Sequence, residues 1–160
     1  MKRIIILRHG DAVSPGKVED HQRYLTDRGL AQATAVGESL KKRGLHPSAT
    51  ICSDALRTQQ TYKQLIDSSG FTVDQEIFTR DFYLADTDAI LSEMASISDD
   101  KESVLLVGHN PGWSHAVSVY SGEYLALATA QAAVLEIEDS SWMNALSREG
   151  QWRLVESFKS

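Results

Sequence analysis

Two unbroken apolar runs, Ile4–Leu7 and Val104–Val107, constrain this chain most, because each is too short for a buried helix and each stops at a glycine-bearing segment. Three successive isoleucines lose side-chain freedom in a helix but suit a pleated strand, and a strand with no polar residue on either face must be covered on both. Between these runs the period turns helical. Thr26 is placed to cap a helix whose apolar residues Leu30, Ala33, Gly37 and Leu40 recur at helical spacing; Lys41, Lys42 and Arg43 suit its negative end, and Gly44 stops it. The alternation continues with a strand over Ala49–Ser53, Asp54 as a cap, and a helix over Leu56–Ser68 ending before Gly70. A strand over Val73–Phe78 and a helix over Ala89–Ile97 precede the second apolar run. After the Gly108–Gly112 break, Trp113, Ala116, Val117 and Tyr120 line one helical face. Ala133–Ile137 and Trp152–Phe158 read as closing strands, able to pair antiparallel, joined by a connection containing Trp142. Strands alternating with helices predict an α/β three-layer sandwich around a mostly parallel central sheet.

No linker, low-complexity tract or repeat divides the 160 residues, so residues 1–160 are expected to form a single domain. Sixteen Lys and Arg against 22 Asp and Glu leave a net charge of −6, which repels nucleic acid and anionic membranes; neither is an expected partner. No apolar stretch approaches the roughly 18 residues that span a bilayer, and Ile4–Leu7 is too short for a signal-peptide core. The expected location is cytoplasmic. The single Cys52 excludes an intrachain disulfide and a multi-cysteine zinc site, consistent with a reducing compartment.

In such sheets ligands bind beyond the carboxyl ends of the strands. Three loops meet that condition: Arg8-His9-Gly10-Asp11, Ser53-Asp54-Ala55-Leu56-Arg57 and Gly108-His109-Asn110-Pro111. Arg8 and Arg57 can bind phosphate oxygens through charge-assisted pairs, with Asn110 a further candidate contact. His9 can attack phosphorus if it is neutral and its other ring nitrogen donates to a fixed acceptor such as a backbone carbonyl. His109 is then the donor to the oxygens that gain charge in the transition state.

The blocks Arg8-His9-Gly10, Ser53-Asp54-Ala55-Leu56-Arg57-Thr58-Gln59-Gln60-Thr61 and Gly108-His109-Asn110-Pro111-Gly112 resemble the signatures of the histidine phosphatase (phosphoglycerate-mutase-like) superfamily. The chain is most similar to its small SixA-type phosphohistidine phosphatase branch. Asp20–Gly29, Tyr83-Leu84-Ala85 and Ala132–Glu136 extend the likeness over nearly the whole chain. The resemblance implies a nucleophilic His9, a phosphohistidine enzyme intermediate, a pocket completed by Arg8, Arg57 and His109, and no metal or other cofactor. Its implied partner is a phosphorylated protein, such as a phosphotransfer domain or phosphocarrier, or a small phosphorylated molecule.

Two departures from the family pattern stand out, of which the second bears on substrate. Tyr24 stands where many relatives carry proline. Large phosphomonoesterases and mutases of the superfamily have an inserted cap carrying an acidic proton donor, for which 160 residues leave no space. Asp11 is the remaining candidate acid, and it reads equally as a turn carboxylate bonded to its own loop. A phosphoramidate leaves as neutral imidazole, whose conjugate acid has a pKa of about 6.5, so a weak acid suffices for phosphohistidine where an alkyl ester needs a strong one. A small-molecule phosphomonoesterase and a non-catalytic phosphate-binding module are the alternatives. Other signals carry less. Four residues separate Cys52 from Arg57 where cysteine phosphatases need five, and Asp86-Thr87-Asp88 lacks a preceding apolar strand and reads as helix capping. His21, His46 and His115 lack ligand spacing as a set, although His21 could reach a pocket rim; Trp113, Trp142 and Trp152 read as packing residues.

Overall fold

Strands β1 (Lys2–Arg8), β2 (Ala49–Ser53), β3 (Gln75–Thr79), β4 (Ser103–Gly108), β5 (Gln131–Ile137) and β6 (Arg153–Lys159) form one sheet in the order β3-β2-β4-β1-β5-β6. They are seen in a computed structural model that describes residues 1–16 and 18–159. Strands β1 to β4 pair in parallel, and β5 pairs antiparallel with both β1 and β6. The helices are α1 (Asp27–Lys42), α2 (Leu56–Ser69), α3 (Thr87–Met94), α4 (Gly112–Ser121) and α5 (Trp142–Ser147).

The two apolar runs explain the layering. Ile4, Ile6, Val104 and Leu106 pack with Ile90 and Met94 of α3, Trp113 and Val117 of α4, and Trp142 of α5. Ile5, Leu7, Leu105 and Val107 pack on the other side with Val36 and Leu40 of α1 and Tyr62 and Leu65 of α2. Successive residues of a strand point to opposite faces, so a continuous apolar run is what a sheet with helices on both sides requires. The three layers are therefore α1/α2, sheet, and α3/α4/α5.

Local chemistry sets most element ends. Thr26 accepts the Gly29 N–H at the start of α1, and Gly70, at φ 72°, ends α2 in the left-handed conformation. The helix expected over Ala89–Ile97 instead spans Thr87–Met94: Asp86 accepts the Asp88 N–H and starts it early, and Ala95 to Ile97 tighten into i to i−3 turns. Asp54 does not cap α2. Ala55 takes that position, and the Asp54 carboxylate lies 3.2 Å from His21 Nε2. Among the described residues, no helix is long and apolar enough to cross a membrane.

Register places the functional loops. Arg8 of β1 sits opposite Gly108 of β4, and Cys52 of β2 opposite Val107, so the three strands end together at one edge of the sheet. The loop after β1 is pressed onto α1: a Cβ on Gly29 would stand 2.0 Å from the Asp11 carbonyl oxygen, closer than any side chain allows. It is also tied to α2, since the Gly10 N–H donates to Thr61 Oγ1 at 3.0 Å and that hydroxyl donates to the Arg57 carbonyl at 2.7 Å.

Candidate active site

His9 follows β1 directly, with its N–H on the Gly108 carbonyl at 3.1 Å and its own carbonyl accepting the Ala130 N–H at 2.9 Å. Its ring is buried, and Nδ1 lies 2.7 Å from the Gly10 carbonyl oxygen. A carbonyl can only accept, so Nδ1 carries the proton and Nε2 keeps a free lone pair. Burial lowers the His9 pKa to about 4; the Gly10 bond opposes this, and the positive charges of Arg57 and Arg8 add to it. The ring is thus neutral across the physiological range.

His109 is the first residue beyond β4, its ring centroid 5.3 Å from that of His9. Its Nε2 lies 2.8 Å from Ser53 Oγ, while Nδ1 is buried with no partner. Burial, then the neighbouring His9 and Arg57, lower its pKa to about 3. Arg8 donates through Nη1 to the Leu127 carbonyl at 3.0 Å, and its buried Nε has no acceptor. Arg57, buried in the first turn of α2, donates through Nη1 to the Asp20 carbonyl at 2.7 Å and through Nη2 to Asp20 Oδ2 at 3.2 Å; its Nε is likewise without an acceptor. Three buried nitrogens, Arg8 Nε at the end of β1, Arg57 Nε at the start of α2 and His109 Nδ1 just after β4, are therefore left without a protein partner, an arrangement that can take up a tetrahedral oxyanion.

The other candidates have different places. Asn110 Nδ2 donates to the Leu127 carbonyl at 2.8 Å, and its Oδ1 accepts from the N–H and hydroxyl of Ser114 at 3.1 and 2.8 Å. Its amide thus braces α4 and the loop before β5. Asp11 Oδ2 accepts the Thr26 hydroxyl at 2.6 Å, which puts the carboxylate on the cap of α1. His21 packs edge-on against Tyr83 at 4.7 Å, and Tyr83 edge-on against His109 at 5.6 Å, so His21 reaches the rim. His46 lies elsewhere, stacked on Phe71 with Nε2 on the Thr72 carbonyl. Cys52 is fully buried, and burial pushes its thiol pKa far up. Trp113 is a packing residue whose indole N–H donates to the Leu106 carbonyl.

Asp20 and Tyr83, which carry no catalytic signature of their own in the sequence, are bonded to one another and, through Asp20, to Arg57 of this site. A 3₁₀ turn over Asp20–Gln22 presents the Asp20 carboxylate to Arg57, to Arg23 Nη1 at 2.9 Å and to the Tyr83 hydroxyl. The Tyr83 bond foremost, with the arginines, holds Asp20 well below the usual carboxylate range despite some desolvation. Beyond Tyr83, a cleft of about 510 Å³ opens from His109 between Leu84, Ala85, Pro111 and His115. Among the described residues, no group of three or more His, Cys, Asp or Glu stands where it could hold a metal ion.

Known proteins resemble this chain in sequence and in fold. The family model described as "Histidine phosphatase superfamily (branch 1)" matches residues 4–88. An uncharacterized chloroplastic protein of Arabidopsis thaliana is 34% identical over 164 residues, covering 96% of this chain and 75% of its own. Among solved structures, SixA of Nakamurella multipartitia, described as a candidate phosphohistidine phosphatase, superposes with a TM-score of 0.82 at 27% identity, covering 98% of this chain and 95% of that one. SixA of Agrobacterium tumefaciens, described in the same way, gives 0.80 at 26% identity, with 98% and 97% covered. With a family model matched over more than half of its length and a relative 34% identical over nearly all of it, the chain belongs to the histidine phosphatase superfamily.

Proposed function

We infer that this phosphatase acts on phosphohistidine carried by a partner protein, with His9 as nucleophile. The observation that carries the reading is the bare Nε2 of His9, in a ring 5.3 Å from that of His109 and under the charges of Arg57 and Arg8, together with three buried nitrogens that have no protein partner: Arg8 Nε, Arg57 Nε and His109 Nδ1. A phosphoryl group bound there supplies the missing acceptors, and donors fixed before the substrate arrives need no reorganisation as charge develops on its oxygens. His9 Nε2 attacks phosphorus in line, the bond from phosphorus to the substrate nitrogen breaks, and the departing imidazole keeps the electron pair. Water then cleaves phospho-His9, regenerating the neutral ring and releasing inorganic phosphate.

The choice of leaving group rests on the proton supply. Asp11 Oδ2 accepts the Thr26 hydroxyl, which favours the charged carboxylate over the protonated acid, and both site histidines have depressed pKa values, so none of these groups is a ready acid for an alkoxide. An imidazole protonated on its distal nitrogen leaves without one. The cleft beyond Tyr83 is open enough for a side chain displayed on another protein, such as a phosphotransfer domain or phosphocarrier. We place the reaction in the cytoplasm, where a free cysteine such as Cys52 persists.

Two measurements test this. Incubation with a phosphorylated substrate should label the enzyme with an acid-labile, alkali-stable phosphate, and the label should vanish in His9→Ala; undiminished labelling removes His9 as nucleophile. Kinetics side by side on phosphohistidine protein, aryl phosphate and alkyl phosphate, repeated with Asp11→Asn, should favour the first. Equal rates on alkyl phosphates would instead identify a general phosphomonoesterase, and zero turnover of all three a binding module.

A further inference from the structure

Ser53, the last residue of β2, is fully buried and touches the site through one atom. Its Oγ lies 2.8 Å from His109 Nε2 and 3.3 Å from the Ala55 backbone N. The Ala55 N–H can only donate, so it occupies a lone pair of Oγ and leaves the hydroxyl proton to be placed. Among the described residues, the partner that can take that proton is His109 Nε2. A neutral imidazole whose Nε2 accepts must carry its own proton on Nδ1, the buried nitrogen that has no protein partner. The opposite tautomer would give Oγ two donors and strand the hydroxyl proton. It would also leave a bare lone pair at Nδ1, where an anion is to bind.

We propose that Ser53 is a positioning residue that fixes the tautomer of His109, so that Nδ1–H is presented to the phosphoryl oxygens. The proposal rests on the phosphatase reading of the site and adds to it the origin of one of the three open donors. A hydroxyl has a consequence that a carboxylate partner would not. It orients the ring without stabilising the imidazolium, so His109 remains a neutral N–H donor through physiological pH, in line with its lowered pKa. Such a site stabilises charge on phosphoryl oxygens but does not deliver a proton to the leaving group, which is the division of labour a phosphoramidate tolerates.

The test is nitrogen-detected NMR of the His109 ring in the full chain, with and without inorganic phosphate, at pH 7. The expected spectrum has a protonated Nδ1 and a bare Nε2, with the Nδ1 resonance moving when phosphate is added. A protonated Nε2 with a bare Nδ1 overturns the proposal whether or not the protein turns over substrate. Turnover of phosphohistidine protein by the wild type judges the functional reading separately. In Ser53→Ala the ring should lose its single tautomer, and kcat should fall about 10- to 100-fold with KM changed less than about threefold, less than the roughly 10²- to 10³-fold for losing a transition-state donor outright because the productive tautomer stays partly populated. Ser53→Thr, which restores the hydroxyl, should recover kcat to within about tenfold of wild type. A folded Ser53→Ala enzyme with unchanged kcat and an unchanged His109 spectrum would also sink the assignment. If that variant fails to fold, the wild-type spectrum still decides.

Discussion

Asp20 grips Arg57 by two different atoms: its backbone carbonyl accepts from Nη1 at 2.7 Å and its carboxylate from Nη2 at 3.2 Å. The backbone contact orients the guanidinium whatever the side chain, whereas the carboxylate places a negative charge beside an anion site. The Asp20 side chain is 53% exposed, so that charge is screened but not cancelled.

Removing only the charge should therefore strengthen phosphate binding. In Asp20→Asn the inhibition constant of inorganic phosphate is expected to fall about two- to fivefold, the scale of one half-exposed ion pair. Competitive inhibition of aryl phosphate hydrolysis at pH 7 measures it. Weaker phosphate binding would mean that the carboxylate chiefly holds Arg57 in place.

Arg57 combines charge with a planar fork, and the two can be separated. Arg57→Lys keeps the charge but loses the fork and the bonds to Asp20, so kcat/KM should fall about 10²- to 10³-fold, as for loss of an oxyanion donor. Steady-state kinetics with circular dichroism as a folding control check it.

The pH profile follows from the lowered histidine pKa values. Because His9 must be neutral to attack, the acid limb of kcat/KM should lie at about 4, well below an ordinary histidine's 6.5, after correction for titration of the substrate phosphate. Stability moves in the same direction. The unfolded chain protonates both histidines near pH 6.5, whereas the folded chain resists until about 4 for His9 and about 3 for His109. The unfolded state thus binds more protons in that window. Stability is whole above about pH 6.5 and declines on acidification below it, by up to about 1.4 kcal/mol per pH unit for each histidine, until the folded ring itself protonates at about 4 for His9 and about 3 for His109. Urea unfolding midpoints at pH 7, 5 and 4 would show the decline, and a flat series would contradict it.

Gly29 is expected to be intolerant of the smallest side chain. A methyl group there meets the Asp11 carbonyl at 2.0 Å, so Gly29→Ala must push the loop carrying His9 off α1. A stability loss of about 1–3 kcal/mol is expected, as for overpacking. It should come with a drop in kcat at constant circular dichroism, measured by urea unfolding and initial rates.

What was legible in the sequence was what is local. The apolar runs announced β1 and β4, Thr26 announced the start of α1, and β2 occupies Ala49–Ser53 as its pattern implied, because each rests on contacts within a few residues or on face periodicity. Arg8, His9, Arg57 and His109 could be singled out because they stand at or just beyond the carboxyl ends of strands, where ligands bind in such sheets; that these strands neighbour one another is a long-range fact of the sheet order. Asp20 was harder to read. Three residues of 3₁₀ turn show no period, and their purpose is a pairing with Arg57 that lies 37 positions away. Leu127 was invisible for another reason: its carbonyl, which receives both Arg8 and Asn110, is a backbone group that any residue would supply. Asn110 and Asp11 show the converse, polar residues beside the histidines whose side chains are engaged in holding neighbouring loops.

The apolar continuity of β1 has a cost in specificity. Where one face of a strand is wet, a slip of one residue exposes the core and is rejected; β1 and β4 are apolar on both faces, so polarity cannot choose their alignment. That task falls to clamps at the strand ends: Lys2, buried with its ammonium on the carbonyls of Asp99 and Lys101, and the His9 N–H on the Gly108 carbonyl. A slip of one residue would move His9 by about 3.3 Å along β4 and turn its imidazole to the opposite face of the sheet from His109. Turnover by this protein is accordingly a sensitive gauge of strand alignment, lost to a sliding error that a secondary-structure spectrum would never register.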